Sequence, residues 1–317
     1  MTADDGKTAP LVANGRSWPA SDKPVTFGLM MPIFEDPATR TAPAFEELAE
    51  LGLAGRAAGF DALWIADHFS MGDGEERPFL GVWESFTLMA GLAARVPDVQ
   101  IGSMVVCTGF RNPGVVAKMS EMIDEISGGR FILGLGAGWH KPEYDQFGLP
   151  FDHRYTRFED AIRIIHPLLR TGQADYQGEF FQANEALNIP RGPRATGVPI
   201  LVGSNGERML GLIAQHADAW NTAWHQDTAK VGSQLEALDA ACVAAGREPG
   251  SVVRTAGLYF DERFGEDEAS IRDAARLAGE FVALGFSHLI LQSFPLTEAK
   301  LDAFARVIEM VQAGEAG

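Results

Sequence analysis

"FDALWIADHFSMGDG", residues 60–74, is the stretch on which the fold reading turns. Ala62-Leu63-Trp64-Ile65-Ala66 is apolar without alternation, the pattern of a strand buried on both faces. The run stops at Asp67 and His68, and a loop of Ser, Gly and Asp follows. A doubly buried strand ending on a carboxylate and an imidazole fits a parallel sheet whose strand ends carry chemistry.

Working outward, β-type runs recur at 25–31, 100–106, 131–135, 199–203, 218–221, 252–258 and 288–292. Amphipathic helical stretches lie between them. In "NPGVVAKMSEMIDEISGGR", Asn112 can cap, Pro113 occupies the first helical position, and Gly128-Gly129 end the helix. A second helix covers 154–170, with Pro167 inside it, and a last one starts at Thr297 and stops near Gly314. Eight strand–helix units in residues 23–317 predict a single α/β domain, a (β/α)8 TIM barrel with its catalytic groups at the strand C-termini. A doubly wound open sheet is the rival that spacing alone does not exclude. Two excursions, 139–153 and 171–198, interrupt the alternation and are expected above or beside the barrel. Residues 1–22, rich in Ala, Asp, Gly, Pro and Ser, read as a flexible N-terminal extension.

The net charge of −17 argues against nucleic acid or an anionic membrane as partner, because both are bound by neutralising phosphates. The two cysteines, Cys107 and Cys242, lie far apart and form no metal-binding spacing, so reduced thiols are expected. The N-terminus has no basic start followed by an apolar core, and no apolar run approaches the ~18 residues of a membrane span. These features predict a cytoplasmic protein.

Three stretches hold candidate chemistry. His68, backed by Asp67, suits acid–base work, since imidazole titrates near neutral pH; loop capping is an equally compatible role. In "FILGLGAGWHKPEYDQFG", Gly134, Gly136 and Gly138 follow a strand, yet Trp139-His140-Lys141-Pro142 come next instead of an apolar helix, so a dinucleotide fingerprint fails. These glycines would let backbone approach a flat ring, with Trp139 beside it, or allow tight packing at the barrel rim. Gly203-Ser204-Asn205-Gly206 joins a strand to a helix and predicts either a phosphate cradle or an ordinary capped turn. His140, His153 and His166 are evenly spaced without a ligand motif, and no metal is expected.

Together, "GFDALWIADHF", "IGSMVVCTGFRNPGVVAKMSEMIDEISGGRFILGLGAGW", "FGLPFDHRYTRFEDAIRII" and "PILVGSNGERMLGLIAQHADAWN" resemble the bacterial luciferase-like superfamily, most closely its deazaflavin (coenzyme F420)-dependent oxidoreductase branch. The resemblance covers residues 24 to about 225. It implies a barrel, usually a homodimer, that holds a flavin or deazaflavin. By position it assigns Asp67 to cofactor contact and His68 to acid–base catalysis. Ser103 and Met104 fall where relatives place a non-prolyl cis peptide behind the ring. Ala137 and Gly138 border the cofactor, and Gly203, Ser204 and Asn205 cradle its phosphate.

Sugar-phosphate dehydrogenases of that branch carry a Trp shortly after the histidine and a Glu in the glycine loop. Gly72 and Trp139 stand there instead, so a sugar phosphate and a second acid–base partner are not expected. The reading is hydride transfer between coenzyme F420 and a small organic substrate, with Trp139 and Phe110 as substrate walls. The alternative is a two-component monooxygenase using reduced FMN supplied by a separate flavin reductase.

Overall fold

In the computed structural model, residues 18–265 and 267–315 are described; most of the expected extension, residues 1–17, lies outside them. Within the expected span, Trp18 already packs edge-on against His288, ring centroids 6.0 Å apart.

Eight parallel strands form the barrel: β1 (Thr26–Met30), β2 (Ala62–Ile65), β3 (Gln100–Ser103), β4 (Phe131–Gly136), β5 (Ile200–Gly203), β6 (Ala219–His225), β7 (Val253–Phe260) and β8 (His288–Ser293). Each pairs with its sequence neighbour, β8 returns to β1, and β4 pairs with β5 through Leu133 and Ile200, Gly134 and Leu201, and Leu135 and Val202. The sheet is therefore closed, which removes the open-sheet rival.

The outer ring is α1 (Phe45–Ala57), α2 (Ser85–Arg95), α3 (Pro113–Ser127), α5 (Arg154–Thr171), α6 (Glu207–His216), α7 (Val231–Ala244), α8 (Glu268–Ala283) and α9 (Glu298–Gln312), and a short α4 (Lys141–Phe147) precedes α5. Helix α3 is punctuated as its sequence predicts. Asn112 accepts from the Gly114 amide at 2.9 Å, and Gly128 ends the helix in the left-handed region. Among the described residues no helix is long and apolar enough to cross a membrane.

The expected third strand, 100–106, is split. Backbone pairing stops at Ser103 and resumes in a short segment, Val106–Cys107, which bonds to β4 at Leu135 and Gly136. Between them the Met104–Val105 peptide is cis, one bond after the expected Ser103–Met104 position; Ala223–Trp224 is a second non-prolyl cis peptide.

Inside the barrel, the end opposite the strand C-termini is plugged. Trp64 Nε1 donates to His288 Nε2 at 3.0 Å, and His288 Nδ1 lies 2.8 Å from Thr26 Oγ1. Asn221 Nδ2 donates to Thr255 Oγ1 at 2.8 Å. All these side chains except Thr26 are buried, so each polar atom has to be met by another.

The two excursions part company. Residues 171–198 form a hairpin, Gln173–Gln177 with Gln182–Leu187, and a return segment fixed to the barrel's flank. There Gly192 N donates to Glu121 Oε2 at 2.6 Å, Arg194 bonds Asp124, and Arg191 bonds the carbonyls of Leu169 and Arg170. The other excursion, 139–153, carries α4 and reaches the strand C-termini.

Candidate active site

A cavity of ≈ 1040 Å³ opens at the C-terminal ends of the strands. That is at the upper end of the ~300–1,000 Å³ usual for ligand pockets, enough for a cofactor and a small substrate together. Loops after β1, β2, β4 and β8 form its walls, and Met104, Val105, Gly136, Ala137, Gly138 and Gly203 belong to its surface. Residues 171–198 contribute nothing to it.

Small residues shape one side. A Cβ on Gly136 would come within 2.6 Å of Val105 Cγ2, and Gly138 holds φ +77°, where its missing side chain leaves room for the Tyr144 hydroxyl and Cys107 thiol. Backbone is thereby exposed where a side chain would stand, which suits the close approach of a planar ring.

His68 lines the cavity, and its Nδ1 lies 2.9 Å from Glu143 Oε1. The other Glu143 oxygen accepts the Phe69 amide at 2.8 Å, and the carboxylate is buried. Held this way, the ring keeps Nδ1 toward the carboxylate and leaves Nε2 as the nitrogen available to the cavity. Glu143 supplies the carboxylate partner that the glycine-loop comparison did not anticipate. Its signal was Pro142 at a helix start, which places Glu143 in the first turn of α4.

Asp67, expected to contact the cofactor, is tied into a network of donors. Its carboxylate accepts both guanidinium nitrogens of Arg111, at 2.7 and 2.9 Å, the Ser85 hydroxyl at 2.7 Å and the Cys107 amide at 2.9 Å. The side chain has 0% exposure, and Asp67 lines the cavity with its carboxylate held by these partners.

Of the remaining expected residues, Met104, Ala137, Gly138, Trp139, Gly203 and Ser204 line the cavity, while Ser103, Asn205 and Phe110 do not. Ser103 Oγ is spent on the Gly134 carbonyl, 2.9 Å, and amide, 2.8 Å. Asn205 sits exposed beyond the lining residues of its loop. Phe110 stacks on Phe69 at 4.4 Å and tilts against Tyr144 at 5.1 Å, in a small apolar cluster behind the site. Residues that the sequence reading did not single out include Phe34, Trp224 and Gln292.

Near Gly203 and Ser204, α6 begins at Glu207, and its first-turn amides have no partner within the helix. The Arg208 guanidinium lies over the Tyr155 ring at 3.6 Å. Cys107 bonds the Tyr144 hydroxyl at 2.8 Å, and burial pushes its thiol up to about 12. Burial thus favours the protonated thiol over the thiolate.

A family model described as luciferase-like monooxygenase matches residues 25–301. The chain is 36% identical over 178 residues to the pyrimidine monooxygenase RutA of Cronobacter turicensis, an alignment covering 54% of this chain and 46% of that protein. RutA of Stutzerimonas stutzeri is 39% identical over 178 residues, covering 54% and 48%. The match thus spans about half the length of these curated relatives. Among solved structures, an F420-dependent secondary alcohol dehydrogenase with an F420-acetone adduct superposes with TM-score 0.73 at 17% identity, covering 90% of this chain and 99% of that one. A riboflavin lyase, RcaE, with modified FMN and riboflavin gives TM-score 0.75 at 15% identity, covering 92% of each. At those identities the likeness concerns the fold alone.

Proposed function

The chain belongs to the luciferase-like monooxygenase family, and from that premise we propose that it is a monooxygenase working with reduced FMN on a small uncharged organic ring. The observation that carries this reading is the cavity itself: glycine-lined backbone on one side, a Glu143-held histidine on another, and no Lys or Arg among the described residues that line it.

That lining also weighs between the two cofactors considered. Coenzyme F420 carries an anionic oligoglutamyl tail, whereas the lining holds the carboxylates Glu35, Asp36 and Glu47, with Arg40 already paired to Glu35. The relatives at 36% and 39% identity are pyrimidine monooxygenases, whereas the F420 dehydrogenase shares 17%. Hydride transfer with F420 is therefore the weaker reading.

When bound, reduced FMN supplies the two electrons that let dioxygen give one atom to the substrate and the other to water. A separate flavin reductase is the proposed source of reduced FMN. Gly203, Ser204 and the start of α6 would hold the FMN phosphate, and Ala137, Gly138 and Val105 would lie against its ring. His68 holds or delivers the proton at Nε2 on the substrate side. Phe34, Trp139 and Trp224 wall the site and restrict water. The resemblance further implies a homodimer.

The test is oxygen consumption by the purified protein with enzymatically reduced FMN and a pyrimidine such as uracil. Substrate-dependent formation of an oxygenated product supports the reading. Reduction or oxidation of a substrate with F420 alone, and none with FMN and oxygen, would replace it.

A further inference from the structure

Side chains along a strand alternate between its two faces. In β8, His288 points into the barrel, where it meets Trp64, so Ile290 and Gln292 share that inward face. Gln292 is accordingly the last inward residue of β8 and lines the cavity. His68 follows β2, and β1 runs between β2 and β8, so Gln292 and His68 face one space from either side of β1.

The polar groups around that space are mostly engaged. Asp67 is taken by Arg111, and Glu143 by His68 and the Phe69 amide. Glu35 accepts the Gly81 amide at 2.8 Å, Asp36 those of Ala38 and Thr39, and Glu47 that of Ala44. The Gln292 amide has no hydrogen-bond partner among the described residues, and Phe294, Pro295 and Leu296 beside it are apolar. It is a neutral group offering one acceptor and two donors with nothing among the described residues to use them.

We propose that Gln292 selects the substrate by pairing with a ring lactam or imide edge, an inference that rests on the monooxygenase reading above. A carboxamide and a cyclic amide match through two antiparallel hydrogen bonds. The Gln292 N–H donates to the ring carbonyl, and the ring N–H donates to the Gln292 oxygen. With no cation in the lining, an anionic ring would enter uncompensated. A ring lacking N–H would leave the Gln292 oxygen unpaired, and such a deficit discriminates strongly in a desolvated pocket. The substrate class is thus an uncharged cyclic amide or imide, with its reacting edge toward His68.

Calorimetric titration of FMN-loaded protein with uracil, 1,3-dimethyluracil and orotate tests this. Uracil is expected to bind at least about tenfold more tightly than the other two. Gln292→Leu should erase that preference while leaving FMN affinity within roughly twofold, which also shows that the variant folds. Equal binding of uracil and dimethyluracil, or no uracil binding, overturns the inference. A Gln292→Leu variant that weakens FMN as much as uracil also overturns it, because the amide would then belong to the flavin's own imide edge. If FMN does not load, the proposed function falls, and the same ligand series titrated into the protein alone decides on Gln292. Should uracil bind in the expected pattern yet remain unoxidised by reduced FMN and oxygen, the inference stands and the monooxygenase reading falls.

Discussion

A histidine acts as a directed proton carrier when one ring nitrogen is held and the other is free, and Glu143 arranges this at His68. His68→Ala should lower turnover by about 10²–10⁴-fold, the usual weight of general acid–base catalysis, with FMN affinity unchanged. Glu143→Gln keeps the ring in place but removes the carboxylate. It is expected to reduce kcat by about 10–100-fold and to displace the pH–rate profile, which a purely structural role would not do. An unmoved profile would make Glu143 a packing residue. Asp67 and His68 are adjacent and read naturally as one unit, yet neighbouring residues of an extended backbone point apart. Asp67 turns its carboxylate to Arg111 and His68 its ring to Glu143, while both border the cavity. Arg111, 44 residues on, was invisible as Asp67's partner because a single arginine in a loop carries no spacing signal. Arg111→Met leaves a buried carboxylate unpaired and should cost about 3–5 kcal/mol in urea unfolding, with Asp67→Asn added to that variant recovering part of it.

Elements were legible where local chemistry punctuates them. Asn112, Pro113 and Gly128 mark α3 because capping and left-handed termination depend on residues next to each other. The break at Met104–Val105 was not, since 100–106 is uniformly β-prone and only its pairing with β4 splits it. The excursion 171–198 interrupts the alternation without naming its own structure, and its hairpin depends on one distant carboxylate. Asp160 of α5 accepts the Tyr176 hydroxyl at 2.8 Å and the amides of Phe180 and Phe181 at 2.7 and 3.2 Å. Asp160→Ala should therefore loosen this hairpin selectively, at about 1–3 kcal/mol. Limited proteolysis is expected to cut faster between Gln177 and Gln182, with the proposed oxygenase activity retained because the hairpin contributes nothing to the cavity. Equal protection in the variant would mean that strand pairing alone holds the hairpin.

At the scale of the whole molecule, counting strand–helix units anticipates eight strands but not closure, which rests on the β4–β5 register between residues far apart in sequence. Closure creates an interior with two ends, an open one bearing His68 and a plugged one bearing His288. The plug makes stability depend on pH. Burial lowers the His288 pKa from 6.5 to about 3, and the neutral ring accepts from Trp64 at Nε2. His216, also desolvated, falls to about 4. The unfolded protein takes up these protons below pH ~6.5 while the folded protein does not, so stability is full above that pH and falls as the pH drops toward the folded values. Carboxylates with depressed pKa values, such as Glu84, act at lower pH, below its ordinary value of 4.5. The window from pH 6.5 to 5 thus isolates the histidines. Burial lowers the His225 pKa as well. Urea unfolding across the window should lose up to about 1.4 kcal/mol per pH unit for each such ring. In His288→Asn the slope should decrease by one such contribution, though the variant starts less stable. A wild-type profile that stays level from pH 6.5 to 5 would show that His288 takes up its proton in the folded barrel, and that the plug does not hold it neutral.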